Sequence, residues 1–597
     1  MLDVTAERLF LNVEASLAGR RWLHALDARS EALATQMAQA HGLPDLVSRV
    51  LAARGVAPQD AARFMAPTIR ELMPDPASLT DMDAASARIA RAVASGERVA
   101  IFGDYDVDGA ASAALLHRYL RHFGIDAPIR IPDRLAEGYG PNPQAMRALA
   151  DAGASLIVTV DCGTTSPDAI AAVAGRADVV VLDHHQVGAQ LPPAHAIVNP
   201  NRQDDLSGQG HLCAAGVVFL TLAAVSRQLR AKGRTDLPDL LQELDLAALA
   251  TVCDVVPLIG FNRALVVRGL DVLRAQRNPG LAALARAARL SGPISAHHLG
   301  FLLGPRINAG GRIGDAALGS RLLTLTDAND AEDIAARLHT LNEERQHMER
   351  AMLDQAEAEV LAEMGAGDGP AVLVTAQPDW HPGIVGLIAA RLKERFNRPA
   401  VAIAFDGAGR GTGSARSIAG FDMGALVRGA LDRGILEKGG GHSMAAGLTI
   451  RRDRLGDFRD YAQAAAQGRV AALRAADGLR LDGALSARGL TVELAQTLHQ
   501  AGPYGSGHPQ PVFALPRHRI AGAQPFGAGG HVRARLQAAD GASISAVAFR
   551  AAGTPLGERL LGGGDRPLHL AGSVSLDHYQ GRPQVSFRIV DAAETLK

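Results

Sequence analysis

The apolar run 99–102 (VAIF) leads into Asp104-Tyr105-Asp106-Val107-Asp108-Gly109, and this junction constrains the fold more than any other segment. Three carboxylates at alternate positions within five residues repel one another unless a cation sits among them. A short apolar run that ends in acids reads as a buried strand delivering ligands at its carboxyl end, where open parallel sheets place their ligand crevice. The arrangement recurs twice. Leu156–Val160 delivers Asp161, with Gly163 close behind, and 179–182 delivers Asp183-His184-His185. Any one of these aspartates could simply cap the next helix, and the acidic hexapeptide alone could be a solvated turn or a lone calcium loop. Three strand ends in succession, one with paired histidines, make a metal centre the better reading. Asp254, closing the helical stretch Leu244–Cys253, is a fourth candidate, evenly balanced against a plain helix-end turn.

The same alternation sets the fold class as α/β. From about 98 to 270 short apolar runs alternate with helical stretches, the pattern of a parallel sheet. The predicted strands are 99–102, 129–131, 156–160, 179–182 and 197–199. Residues 1 to about 80 read as helical, with apolar spacings of three and four over 46–64. Ala328–Met364 is a charged helical stretch without Gly or Pro, roughly 50 Å or more at the helical rise, which suits a connector. A second α/β unit follows, with a strand at 371–374, a helix over Val385–Phe396, a strand at 401–405 and a glycine-rich turn at 439–441. From about 470 the chain turns β-rich, with runs at 532–536, 544–549 and 585–589. A small barrel fits that tail. At 597 residues one core could not serve the whole chain.

Mostly oxygen donors with one or two imidazoles suit Mn²⁺ better than Mg²⁺, which prefers oxygen, or a structural Zn²⁺, which would want thiolates. The three cysteines, Cys162, Cys213 and Cys253, cannot build a disulfide framework and fit a reducing cytoplasm. No apolar run approaches the ~20 residues that span a bilayer, and Asp3, Glu7 and Glu14 break any export-signal order at the start. Net charge is −1, so a nucleic acid would need a local basic surface. Pro516 to Lys597 offers one, with ten Arg or Lys against six Asp or Glu, a surplus of four. Only four of the 61 basic residues are lysine, which makes arginine identity alone a weak pointer to phosphate. A Walker A loop is excluded because no Gly-Lys dipeptide occurs. The glycines of 309–319 follow no strand in dinucleotide-fingerprint spacing.

Segments 99–113 (VAIFGDYDVDGAASA), 158–165 (VTVDCGTT) and 182–186 (LDHHQ) resemble the successive motifs of the DHH phosphoesterase superfamily, with Asp183-His184-His185 as the namesake. Segment 438–447 (KGGGHSMAAG) resembles the glycine-glycine-histidine motif of its DHH-associated domain. Within the superfamily, 134–140 (RLAEGYG), 250–258 (ATVCDVVPL), 304–312 (GPRINAGGR), 413–417 (GSARS) and 502–513 (GPYGSGHPQPVF) are similar to the RecJ family. The resemblance implies that Asp106 and Asp161 bind one ion, with Asp104 completing or supporting that site. It implies Asp108, Asp161, His184 and Asp254 for the second ion, Asp161 bridging. His185 would face the scissile phosphate and Asp183 would orient the histidines. Arg306, Arg312, Ser414, Arg416, Gly440, Gly441 and His442 would meet the substrate, and Arg312, Ser414 and Arg416 its 5′-terminal phosphate. Near the end of the tail the family tends to show a tryptophan before a glycine; here 576–581 reads LDHYQG.

The implied organisation is an N-terminal helical region (1–80), a parallel-sheet DHH catalytic domain (81–270) and a helical connector with one long helix (271–365). A smaller α/β DHH-associated domain (366–465) and an OB-like nucleic-acid-binding barrel (466–597) complete it. The implied activity is 5′ to 3′ hydrolysis of single-stranded DNA to 5′-mononucleotides with two Mn²⁺ or Mg²⁺ ions, in recombination and repair. Single-strand-binding protein and a RecQ-type helicase are the implied partners of a monomeric cytoplasmic enzyme. DHH hydrolases of pyrophosphate, short oligonucleotides or cyclic dinucleotides share the metal motifs but imply no such tail. A non-catalytic DNA-binding scaffold has no need of a full ligand set.

Overall fold

A computed structural model describes residues 8–133, 137–188, 190–365, 368–527, 529–564, 566–579 and 582–595. Arg134, Leu135 and Ala136 of the 134–140 motif, Gln580 and Gly581 of the tail motif, and residues 1–7 lie outside them. The chain divides into two units. One contains Pro76–Asp254 and Asp271–Ala476; the other contains the residues up to Asp75, Val255–Leu270, and those from Asp477 onward.

In the first unit five parallel strands run in the spatial order Ile129–Arg130, Val99–Gly103, Leu156–Val160, Asp178–Leu182, Ala196–Val198. Every residue of Val99–Gly103 and Leu156–Val160 is buried, as expected of strands covered on both faces. The chain moves outward to one side after the first strand and to the other after the second. The order therefore reverses beside Val99–Gly103 and Leu156–Val160, and carboxyl-end loops at such a reversal leave a crevice. Asp104 to Asp106 and Asp161 occupy those two loops, and Asp108 lies in the first turn of the helix Val107–His122 that follows.

Ala328–Met364 is a single helix of 37 residues. Its buried positions Leu338, Leu341 and Arg345 recur at spacings of three and four, one covered stripe on an otherwise solvated rod. Beyond it lies a mixed sheet in the order Lys438–Gly441, Ala445–Arg451, Arg410–Arg416, Ala400–Phe405, Leu373–Gln377. The glycines at 439–441 form an edge strand rather than the predicted turn. Glycine has no strand propensity of its own, so this strand exists because Ala445–Arg451 dictates its register.

In the second unit Phe513–Phe526, His531–Gln537, Ser543–Ala548, Arg582–Glu594 and Leu568–Tyr579 pair in a ring that closes back on Phe513–Phe526. Closure removes free strand edges. Met37, Leu51, Phe513, Phe587 and Leu568 share one core, so the N-terminal helices Ala28–His41 and Asp45–Ala53 pack on the barrel. Residues 1–80 are not helical throughout. Arg21–His24 is a strand parallel to Gly478–Leu481, and buried Trp22 donates from Nε1 to Asp591 Oδ2 at 3.1 Å. That strand is set by a partner at the far end of the chain, so local spacing carries no sign of it. Among the described residues no helix is long and apolar enough to cross a membrane.

Candidate active site

Five aspartates and two histidines converge at the strand ends. Ligand atoms of Asp104, Asp106 and Asp161 lie within 4.8 Å of one another, and so do those of Asp108, His184 and Asp254. A third group, Asp161 with His184 and His185, joins the first two. His184 Nε2 stands 3.3 Å from Asp161 Oδ1, 3.7 Å from Asp108 Oδ2 and 3.7 Å from Asp254 Oδ2. Asp254 is the C-cap of Leu244–Cys253; it is a helix-end residue and a member of the cluster at once. The same double role falls to Asp106, whose Oδ1 caps Val107–His122 by accepting the Gly109 amide at 3.0 Å.

The backbone holds these groups tightly. Asp161 sits in the left-handed region at φ 60°, a conformation costly for a residue with a Cβ. Gly109 passes so close to Asp104 that a Cβ would lie 2.5 Å from the Asp104 carbonyl oxygen. Two amides at the start of Ala214–Ala231 fix Asp108, Ala214 N on Oδ2 at 2.7 Å and Ala215 N on Oδ1 at 2.8 Å. Asp183 turns away from the cluster. Its Oδ1 accepts the amides of His184 (2.7 Å) and His185 (3.2 Å) and the His185 Nδ1 at 2.8 Å, while Oδ2 accepts the Thr164 amide at 3.1 Å. His184 Nδ1 lies 3.1 Å from the Leu212 carbonyl; it must donate there, which leaves Nε2 as the lone-pair nitrogen facing the carboxylates.

The electrostatics demand positive charge. Burial pushes the Asp161 carboxyl well up, and the charges of Asp108, Asp106, Asp104 and Asp254 add to it. Burial likewise raises Asp108, against the pull of His184. Asp254 is pushed up to about 9 by burial, then by Asp108 and Asp106. Asp183 goes the other way, because the His185 hydrogen bond and charge outweigh its burial. The same bond, again overcoming burial, lifts His185 to about 9. Buried Asp161 Oδ1 accepts no hydrogen bond. Carboxylates crowded at this cost, with an acceptor left over and an imidazole lone pair among them, fit divalent cations with oxygen and nitrogen ligands.

Beside this cluster is a second grouping. Gly440, Gly447 and Ser414 fall in one cross-strand row, and Gly447 leaves the lane between the other two open. Arg416 lies two residues from Ser414 on the same face, its Nη1 3.0 Å from Ser414 Oγ. Gly386, at the start of Val385–Phe396, faces both; a Cβ there would lie 3.1 Å from Ser414 Oγ and 3.3 Å from Arg416 Nη2. Arg312 Nη1 donates to the Gly383 carbonyl at 3.0 Å. Guanidinium groups, a hydroxyl and the amide end of a helix thus gather where a phosphate could sit. The preceding residue, Gly311, packs on the Tyr105 backbone, with a Cβ there 2.7 Å from its carbonyl oxygen. Neighbouring residues of one helix therefore touch the carboxylate loop and the arginine grouping.

Arg306 is not part of this grouping. It is buried, with Nη1 donating to Leu302 O at 2.7 Å and Nε directed at His339 Nδ1 at 3.2 Å. Gly441 has φ 151° beneath exposed His442, whose amide donates to Ala445 O at 2.8 Å. Sequence reasoning missed Tyr139, whose hydroxyl is 3.0 Å from His185 Nδ1 and donates to the Asp161 carbonyl at 3.1 Å. It also missed Asn199 and Asn201, which donate to the His185 and His184 carbonyls, and the turn around Gly383 and Gly386. Two asparagines, one directly after the strand Ala196–Val198 and one two residues on, are the one signal that could have been read.

Comparison with known proteins follows the same lines. Residues 98–251 match the DHH family, N-terminal domain; residues 369–468 match the DHHA1 domain; residues 481–591 match the RecJ OB domain. The single-stranded-DNA-specific exonuclease RecJ of Salmonella typhimurium is 38% identical over 490 residues, covering 79% of this chain and 83% of that protein. The protein of the same name from Bacillus subtilis is 33% identical, covering 93% and 68%. The crystal structure of RecJ in complex with Mn²⁺ from Thermus thermophilus superposes with a TM-score of 0.77 at 30% identity, over 94% of this chain and 78% of that one. The Mg²⁺ complex from the same organism gives 0.72 at 29% identity, over 94% and 77%.

Proposed function

The chain belongs to the RecJ family of single-stranded-DNA-specific exonucleases, and from that premise we propose that it removes 5′-mononucleotides from single-stranded DNA, moving 5′ to 3′. The observation that carries this reading is the joining of two partly buried ligand groups, Asp104/Asp106/Asp161 and Asp108/His184/Asp254, at Asp161 and His184. Asp104, Asp106 and Asp161 would hold one ion, and Asp108, Asp161, His184 and Asp254 the other, with Asp161 shared. Mn²⁺ or Mg²⁺ there would neutralise the phosphoryl oxygens and favour an ionised water.

The protein's own groups do the rest. Asp183 keeps His185 charged and turned toward the cluster, a donor for a phosphoryl oxygen. Tyr139 braces the same imidazole. Arg312, Ser414 and Arg416 hold the 5′-terminal phosphate, with Gly440, Gly441 and His442 along the open lane beside them. Gly311 packs on Tyr105 and the adjacent Arg312 bonds the Gly383 carbonyl, so one helix joins the carboxylate loop to the arginine grouping. The barrel adds affinity for the strand. Single-strand-binding protein and a RecQ-type helicase would supply the strand to a cytoplasmic monomer in recombination and repair; the free thiols of Cys162, Cys213 and Cys253 suit that compartment.

The test is a digestion of 5′- and 3′-labelled single- and double-stranded DNA with Mn²⁺. The expected result is early release of 5′ label as mononucleotide from single strands, with duplexes spared. Early release of the 3′ label, or equal attack on duplex, overturns the reading.

A further inference from the structure

The helix Leu244–Cys253 ends in a turn that its sequence does not favour. Asp254, the C-cap, is followed by Val255 at φ 59°. That is the left-handed stop which helices ordinarily build with glycine or asparagine. A branched Cβ crowds its own backbone in this conformation. Of the non-glycine residues with positive φ among those described, Val255 alone is β-branched. Burial does not explain the choice either, because Val255 is 68% exposed. Neither backbone preference nor packing selects this residue.

Such strain persists only where the chain on both sides of it is held. Before Val255, the Asp254 amide donates to Ala250 O at 2.9 Å and the Cys253 thiol to Leu299 O at 3.4 Å, with Gly304 packed on the Cys253 sulfur. After it, the Leu258 amide donates to Ser506 O at 2.8 Å and Asn262 Nδ2 to Pro257 O at 3.0 Å. Gly507, at φ 67°, lies so near that a Cβ there would be 2.8 Å from Pro257 Cβ. The Asp254 carboxylate hangs between these anchors, its ligand atom within 4.8 Å of those of Asp108 and His184. Without a cation, carboxylates this close repel, and relaxation at Val255 would relieve strain and repulsion together. A cation works against both.

We propose that Val255 is a positioning residue that spring-loads Asp254, so that the second ion binds weakly and exchanges while the first, on Asp104, Asp106 and Asp161, stays tight. Part of the second ion's binding energy goes into holding the strained turn. This rests on the reading of Asp108, Asp161, His184 and Asp254 as the second ion's ligands. It assigns that ion's affinity to a residue with no ligand atom to give. A phosphate product clamped by two tight ions leaves slowly; one labile ion lets it go.

The experiment is a Mn²⁺ titration of the metal-free full chain without DNA, followed by the electron paramagnetic resonance signal of free Mn²⁺. Asp254→Asn identifies the second ion's site as the one whose binding it removes. Val255→Asn and Val255→Gly accept the left-handed turn without strain. Both should tighten that site about tenfold and leave the other unchanged, whereas Val255→Ile should match the parent. Hydrolysis should then reach half its maximum at a correspondingly lower Mn²⁺ concentration in the Asn and Gly variants. A role in folding alone would raise the thermal melting point of metal-free Val255→Asn with both Mn²⁺ affinities unchanged, and that result overturns the proposal. So does a Val255→Ile protein that binds Mn²⁺ as tightly as Val255→Asn. Failure of the ligand reading would show differently, as an Asp254→Asn protein that still binds two Mn²⁺ as the parent does.

Discussion

The carboxylate cluster and the barrel face make opposite use of charge. At the cluster, like charges are buried together and kept there by backbone: Asp161 in a left-handed conformation, Gly109 pressed on Asp104, and helix amides on Asp108. On the barrel face, Arg533 and Arg535 stand on solvent-facing strand positions where alternation alone places them. The first arrangement is tolerable only with a cation to bind, so losing one member should be nearly all-or-none. The second is a sum of small exposed contacts, so its losses should be graded.

The largest expected effect sharpens the first half of that contrast. Asp161→Ala should lower hydrolysis on the order of 10³-fold, the loss of several kcal/mol of transition-state stabilisation, while strand binding by filter or anisotropy assay survives. Residual activity within about tenfold of the parent would break it. Next comes the metal itself. Mn²⁺ should support hydrolysis at least as well as Mg²⁺ because His184 is among the ligands, and Ca²⁺ should not; equal rates in all three, or activity in excess chelator, would argue for chemistry that needs no such site. Between the extremes lies the arginine grouping. Arg416→Ala should cost ~1.5–3 kcal/mol, tenfold or more, on 5′-phosphorylated strands relative to 5′-hydroxyl strands. Equal slowing of both would assign Arg416 to the general strand path.

A further effect concerns the barrel unit's own stability. Burial pushes the His508 imidazole down to about 4 from an ordinary 6.5; it stacks on Tyr504 at 4.8 Å and its Nε2 bonds the Ala501 carbonyl at 2.8 Å. The unfolded chain takes up a proton below pH 6.5 that the folded one refuses until about 4. This contribution is therefore full above 6.5 and lost as pH falls toward 4, by roughly 3 kcal/mol at most. Urea melts across that window should show the decline, and His508→Asn should flatten it. Parallel slopes in parent and variant would place the pH dependence elsewhere.

What could be read from sequence were the features whose cause is local. A strand ending in acids announces itself, as does a 37-residue helix uninterrupted by Gly or Pro. Val385–Phe396 and Leu244–Cys253 have the bounds their spacing suggests. Features caused by distant partners could not be read. Arg21–His24 is a strand because Gly478–Leu481 is there, and Lys438–Gly441 because of Ala445–Arg451. Motif membership put Arg306 with the substrate arginines, and only packing shows its guanidinium turned onto Leu302 and His339. Tyr139 escaped because a tyrosine in a loop carries no periodicity, and its role depends on where His185 lies.

The barrel unit is assembled from both ends of the polypeptide. Its core draws on Met37, Val50 and Leu51 near one end of the chain and on Phe513, Leu568 and Phe587 near the other. Arg263, from the middle, crosses Phe64 at 3.9 Å and donates to the Gly502 carbonyl at 2.6 Å. On a ribosome the early helices emerge about 460 residues before the strands that cover them, a wait of roughly 25 to 90 s at ordinary elongation rates. During that interval Trp22 and Leu51 lack the part of their cover that the later strands supply. Nascent chains arrested between Leu270 and Asp477 should bind hydrophobic-surface chaperones through their first 75 residues, and a C-terminal truncation near Gly468 would make that exposure permanent.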